Sequence, residues 1–203
     1  MSHSALQIIR NEHAALAAVL RSLSMMIAPG PVREPERFFN VLRAMLFYID
    51  EFPERLHHPK ESELLFPKLA RAAPELAPVI RQLESDHQDG EHKVRELQHQ
   101  LLAWDLVGES RRAEFVDAAE EYVRFYLEHM RTEETQLLPA ADRLLSALDR
   151  AELDAAFSRD RDPLAGGTRD PRYERLFTRI VMTTPAPIGL GPTLEEARLP
   201  PFR

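Results

Sequence analysis

Two copies of one frame of histidines and glutamates restrict what this chain can fold into. The first copy pairs Glu12-His13 with His57-His58-Pro59-Lys60-Glu61, and the second pairs Asp86-His87 with His129-Met130-Arg131-Thr132-Glu133. His13 and His57 lie 44 residues apart, and His87 and His129 lie 42 apart. The copies also close alike, with Leu65-Phe66-Pro67 standing where Leu137-Leu138-Pro139 stands in the second. A repeated pattern of this kind predicts one two-metal site assembled from both halves.

Apolar periodicity supplies the framework. Leu6, Ile9, His13, Leu16, Leu20 and Leu23 follow helical spacing over residues 4–28, and Pro29-Gly30-Pro31 ends that helix. A second helix is predicted to begin near Glu34-Pro35-Glu36, to carry Phe38, Leu42, Met45, Ile49 and Phe52, and to kink at Pro53. A third is predicted from between Pro74 and Pro78 to Trp104, weakened slightly at Gly90. A fourth, over residues 111–148, places Phe115, Tyr122, Phe125, His129, Glu133, Leu137 and Leu144 in phase. Four long amphipathic helices with short linkers predict an all-α, antiparallel up-down-up-down four-helix bundle. Alternating direction then brings His13, His57, His87 and His129 to one depth. Each of them also sits on an apolar stripe, where an imidazole without a partner is costly.

The residue types set the chemistry. Imidazole with carboxylate and no sulfur suits iron or manganese better than copper, although zinc, manganese or nickel can occupy such sites as substitutes. Spaced i,i+4, His57 and Glu61 share a helix face, as do His129 and Glu133. A carboxylate has two oxygens, so Glu61 and Glu133 can bridge two ions about 3.5–4 Å apart while the histidines cap the ends. One turn after His13 comes Ala17, but one turn after His87 comes Glu91. Glu91 reads as an additional ligand, as a proton acceptor beside the metal, or as a solvated helix acid. Glu12 and Asp86 point about 100° away from the histidines they precede. They read as surface groups or as supports to the site. His58 is matched by Met130 in the other copy, and His3, His92 and His99 have no counterpart. Tyr48, Tyr122 and Tyr126 are candidates either for hydrogen bonds near the site or for packing.

Composition removes several alternatives. With no cysteine, thiolate metal sites, cysteine-held iron–sulfur clusters and disulfides are excluded. The net charge of −7 and the absence of a basic stripe argue against a nucleic-acid partner. No run of about 18 apolar residues predicts a membrane span. The first residues lack the pattern of a signal peptide, so the expected location is cytoplasmic. The chain divides into a bundle over residues 1–158 and an extension over 159–203. The extension holds seven of the sixteen prolines, four of the seven glycines and one short helix near 171–181, with Tyr173, Leu176, Phe177 and Ile180. Its apolar residues are expected to pack on the bundle or on a second subunit, and the latter would make a homodimer.

His13, His57-x3-Glu61, His87 and His129-x3-Glu133, with the Leu-Phe-Pro and Leu-Leu-Pro endings, resemble the hemerythrin-like (HHE cation-binding) domain family over about residues 4–148. The resemblance implies a di-iron centre bridged by two carboxylates and an oxo or hydroxo group. It also implies activity on oxygen, nitric oxide or peroxide, repair of iron centres under stress, or iron and oxygen sensing. Oxygen-carrying members have a second histidine one turn after the third-helix histidine. Glu91 stands there in this chain, which argues against reversible oxygen carriage. Three functions stay open: a di-iron protein acting on a small diatomic ligand or peroxide, a sensing or interaction module without catalysis, and a bundle without functional metal.

Overall fold

The computed structural model describes residues 4–31, 34–167 and 171–184. Helix α1 (Ala5–Ile27) begins at Ser4, whose hydroxyl accepts the Gln7 N–H and satisfies one orphan donor of the first turn. The second rod starts as α2 (Pro35–Ile49) and passes through a π-helical stretch (Asp50–His57), α3 (His58–Lys60) and a second π-helical turn (Glu61–Leu65). It ends as α4 (Phe66–Ala72). Helix α5 (Ala77–Val107) stops at Gly108, whose φ of +97° lies in the region that favours glycine. Helix α6 (Arg112–Thr132) runs through a third π-helical turn (Glu133–Leu137) into α7 (Leu138–Leu144).

The prolines account for the wide turns. A proline removes one backbone donor and clashes with the turn before it, so the regular i→i−4 ladder fails there. Bonds reaching five residues back take over: the N–H of His58 donates to the Pro53 carbonyl, that of Phe66 to Glu61, and that of Leu138 to Glu133. The kink expected at Pro53 is thus realised as a widened turn within a continuous helical path. The shared endings at Pro67 and Pro139 set matching π-helical turns that begin on Glu61 and on Glu133, and such turns cluster at functional sites.

The fourth predicted helix ends earlier than its periodicity suggests. Leu145 is extended, and Ser146 accepts the Asp149 N–H to start α8 (Ala147–Phe157). Leu144, expected on the inner face, is 44% exposed because the chain turns away there. Helix α8 packs on α1, and its Asp154 accepts the N–H of Ala5 at 2.6 Å. Residues 159–167 then cross the bundle as a strap, and α9 (Glu174–Thr183) lays Phe177 and Ile180 against α2. Residues 185–203, where the expected packing of the tail falls, lie outside the described residues.

Helix α1 touches α2 and α6, and α5 touches the same two, closing a ring of helices. Its interior holds two apolar clusters. One gathers Leu16, Leu20, Leu42, Ile49, Leu97, Trp104, Phe115 and Tyr122, and the other gathers Ile9, Phe66, Leu83, Leu137 and Phe157. Along every rod the switch from one cluster to the other falls at a residue of the frame: His13 between Ile9 and Leu16, His57 and Glu61 between Phe52 and Leu65, His87 between Leu83 and Val94, and Glu133 between Met130 and Leu137. The polar site is the layer between two dry cores. Among the described residues there is no strand, and no helix is long and apolar enough to cross a membrane.

Candidate metal centre

Four rods carry the six residues of the repeated frame into that layer, and all six are buried: His13 4%, His57 6%, Glu61 0%, His87 8%, His129 3% and Glu133 1% exposed. The imidazoles form two pairs. His13 Nε2 lies 3.2 Å from His57 Nε2, and His87 Nε2 lies 3.2 Å from His129 Nε2. Between the pairs stand the two carboxylates. Glu61 turns Oε1 to within 3.1 Å of His57 and Oε2 to within 3.6 Å of His87. Glu133 does the reverse, with Oε2 at 3.2 Å from His13 and Oε1 at 3.6 Å from His129. Each glutamate therefore presents one oxygen to each histidine pair.

The outer nitrogens explain the orientation. His57 Nδ1 meets Glu12 at 2.7 Å, and His129 Nδ1 meets Asp86 at 3.3 Å. The acid before the histidine of one helix thus holds the histidine of the next, in both halves. His13 Nδ1 meets Glu134 at 3.2 Å, and His87 Nδ1 meets Ser62 at 2.9 Å. Glu134 and Ser62 each follow a central glutamate, so the two halves brace one another crosswise. A proton on Nδ1 shared with such an oxygen leaves Nε2 as the inward lone pair, the arrangement typical of metal-bound histidine.

All four oxygens of Glu61 and Glu133 are buried without a hydrogen-bond partner. Leaving buried charged acceptors unpaired costs several kcal/mol each. The pKa pattern shows the same conflict. Burial and the charge of Glu133 hold the Glu61 carboxyl up, while His129 and His13 outweigh burial at Glu133 and draw it down. Burial opposes the charged form of His13, but Glu133 and Glu134 raise it to about 9. His57 is raised against burial by Glu61 and Glu12, and His129 by Glu133 and Asp86. Burial and neighbouring imidazoles push His87 and His58 down, toward the neutral form that binds metal. Cations held between the pairs would satisfy the orphaned oxygens, accept the facing lone pairs and offset the carboxylate charge together. The residues fit metal.

Three placements depart from or add to the sequence reading. Glu91 does not enter the layer: it sits on the outer face of α5, 48% exposed, paired with Arg95. Its position one turn beyond His87 points outward, so of the readings open for it the structure agrees with that of a solvated helix acid and not with that of a further donor from α5. His58, which has no counterpart in the repeat, is 4% exposed and stacks on His87 with ring centroids 4.1 Å apart and planes at 9°. Two sets of donor atoms lie within 4.8 Å of one another: His13, His57 and Glu61 in one, and His58, Glu61, His87 and His129 in the other. Glu54 is buried too. Burial raises its carboxyl to about 7, although the hydroxyls of Tyr126 and Tyr122 pull the other way by donating to it. The sequence does carry one signal for this pair, because Glu54-x3-His58 overlaps His57-x3-Glu61 at the same i,i+4 spacing. Of the remaining histidines, His92 and His99 are exposed, and His3 lies outside the described residues.

A family model described as Hemerythrin HHE cation binding domain matches residues 4–141, a span that takes in both copies of the frame. No curated protein matches the chain.

Proposed function

This chain belongs to the hemerythrin HHE cation-binding domain family, and we propose that its buried cluster holds two iron ions used on oxygen, nitric oxide or peroxide, in the response to iron or oxidative stress. The carrying observation is the crossed carboxylate arrangement, in which Glu61 and Glu133 each offer one oxygen to either histidine pair. A sulfur-free histidine–carboxylate set suits iron, with manganese, zinc and nickel as substitutes. The ring of helical contacts supports an up-down-up-down order of the four rods.

When bound, an iron pair supplies one-electron chemistry and a Lewis-acidic seat for a small ligand. The chain's own contribution is positional. Glu61 and Glu133 would hold the ions between them, and His13, His57, His87 and His129 present Nε2 to the centre. Glu12, Glu134, Ser62 and Asp86 fix the rings from behind. The apolar clusters above and below keep bulk water from the layer. The test is to load the protein with ferrous iron under nitrogen, count iron per chain, and record the visible spectrum after oxygen, nitric oxide or peroxide is added. About two ions and a ligand-dependent band support the proposal; a reduced site inert to all three ligands sinks it.

One observation favours a second reading, that of an iron or oxygen sensor without catalysis. The Asp162 N–H in the strap donates to Glu12, and Glu12 holds His57. Metal occupancy and strap position are thereby linked through one side chain. If stripping the metal leaves both the melting temperature and the protease sensitivity of residues 159–167 unchanged, this reading fails.

A further inference from the structure

Beside the candidate metal layer, Glu54, Tyr122 and Tyr126 form a hydrogen-bonded unit that none of the six frame residues joins. They are 7%, 1% and 0% exposed, and both tyrosines belong to the apolar cluster. We infer that Tyr126 donates one electron to the metal layer when peroxide reacts there, and that Glu54 takes the phenol's proton as the electron leaves. The inference rests on the reading of an iron pair used on peroxide, and it adds an electron source within the chain.

Three arrangements carry it. The first is the proton's path: Glu54 Oε1 accepts the hydroxyls of Tyr126 at 2.5 Å and Tyr122 at 3.1 Å, while Oε2 faces His58 Nδ1 at 3.0 Å. The second is the electron's path. The Tyr126 ring lies 5.6 Å from that of His129, and it is parallel, at 4°, to His58, which stacks on His87 at 4.1 Å. Tyr126 thus reaches both imidazoles of one pair through packed rings. Tyr48 supplies the contrast: it also donates to a buried carboxylate, that of Asp162, but its ring meets Phe52 and Phe177 and no frame histidine. The third is seclusion. Tyr126 fits against α5 because position 90 is glycine, where a Cβ would come 1.8 Å from the phenol oxygen.

A tyrosine that merely packs needs no such partner. One backbone carbonyl satisfies a buried hydroxyl, whereas burying a carboxylate to receive two of them is costly. The step balances as follows. The O–O bond of hydrogen peroxide breaks with one electron from a ferrous ion and one from Tyr126, leaving two hydroxides. The phenol's O–H bond breaks as its electron leaves, and the proton crosses the existing hydrogen bond to Glu54. A neutral phenoxyl and a neutral carboxyl result, both shielded from solvent. Without the second electron, a single ferrous ion would cleave peroxide to one hydroxide and a hydroxyl radical; Tyr126 prevents that release.

The test is electron paramagnetic resonance on the iron-loaded chain, freeze-quenched after hydrogen peroxide is added, with iron counted and peroxide consumption followed in the same sample. A phenoxyl signal is expected, narrowed when the tyrosine rings are deuterated. It should vanish in Tyr126→Phe and persist in Tyr48→Phe. Ring-fluorinated tyrosine placed at position 126 keeps the hydroxyl and should add fluorine splitting, so the assignment does not depend on how Tyr126→Phe folds. Glu54→Gln removes the proton acceptor and should slow phenoxyl formation about 100-fold or more, at unchanged iron per chain. Bound iron that consumes peroxide with no phenoxyl, or with one that lacks fluorine splitting, overturns the inference and leaves the proposed function standing. Formation at the parent rate in Glu54→Gln removes Glu54 as the acceptor and overturns it likewise. No bound iron overturns both.

Discussion

Glu12 joins His57 to the C-terminal strap: one carboxylate oxygen meets His57 Nδ1 at 2.7 Å, and the other accepts the backbone N–H of Asp162 at 3.0 Å. The strap is fastened at the same residue by the Tyr48 hydroxyl, which donates to the Asp162 carboxylate, and within the strap the Leu164 N–H donates to that carboxylate at 2.8 Å. Lys60 adds a bond of 2.8 Å to the Arg159 carbonyl. Under these contacts lies a cavity of about 10 Å³ lined by Glu12, His13, His57, Lys60, Asp160 and Asp162. That is room for about one water, so the strap closes this side of the site.

Strap docking should therefore depend on pH. Burial holds the Asp162 carboxyl up at about 6, against the pull of Tyr48 and Leu164. In the unfolded chain it titrates near the ordinary aspartate value of about 4. Between these values the folded state binds more protons than the unfolded one, so stability falls as pH rises through the window and is fully present below it. Amide exchange over residues 159–167, corrected for its intrinsic pH dependence, is expected to be faster near pH 7 than near pH 5. An equal or opposite trend would remove Asp162 as the cause.

Cutting the same anchor tests access to the site. Asp162→Ala leaves the buried Tyr48 hydroxyl without its acceptor, a loss of about 1–3 kcal/mol. The strap is expected to open more often, and a chelator should extract bound metal several-fold faster than from the parent chain. Extraction at the parent rate, with the strap shown to be released by limited proteolysis, would mean that ions leave by another route.

Much of this arrangement could be read from residue spacing. The six frame residues sit on apolar stripes, at positions that bring their rods to one level, and the structure does gather them there. What spacing could not reveal were the groups set by the wide turns. A regular helix points His58 about 100° away from His57, yet both are buried where the π-helical stretch around Pro53 ends. Ser62 and Glu134 escaped for a different reason: they act across the two halves, and the repeat was read within each half. Spacing alone left Glu91 open between ligand and solvated acid, because one helical turn beyond His87 does not by itself decide which way a side chain faces. The end of α7 was missed because Leu144 keeps the apolar phase, although Ser146 has already capped the next helix.

Removing metal should weaken the whole bundle, because the orphaned oxygens of Glu61 and Glu133 lie between its two cores. An ion that binds only the folded state adds about 4 kcal/mol at a thousand times its dissociation constant. For a domain of this size that corresponds to a melting shift on the order of 10 °C. The double variant His57→Ala, Glu61→Ala is expected to lose both bound metal and this metal-dependent shift. Unchanged metal per chain in that variant would falsify the site.

The carboxylates behind the histidines give a graded test of the crossed bracing. Glu12→Gln and Asp86→Asn keep the size of each side chain but remove the charge that holds Nδ1–H of His57 and His129. Loss of such a supporting partner typically lowers metal affinity about 10- to 100-fold. Glu12, buried and at the shorter distance, is expected to have the larger effect, and its replacement should also loosen the strap. Competition against a coloured chelator measures the first, and proteolysis of residues 159–167 the second.

Gly90 allows opposite expectations to be separated by a single substitution. Helix propensity alone makes Gly90→Ala favourable by about 1 kcal/mol. The structure predicts the reverse, because the new Cβ would lie 1.8 Å from the Tyr126 oxygen and 2.6 Å from its ring carbon Cζ. Tyr126 is buried between the helices and cannot simply swing outward, so the substitution must displace it from Glu54. Overpacking of this kind costs about 1–3 kcal/mol, and the lost hydrogen bond adds to it. Thermal unfolding should therefore shift downward by several degrees, roughly 2–4 °C per kcal/mol. A stabilised Gly90→Ala protein would show that Tyr126 does not occupy this position, and the support of Glu54 behind His58 would fall with it.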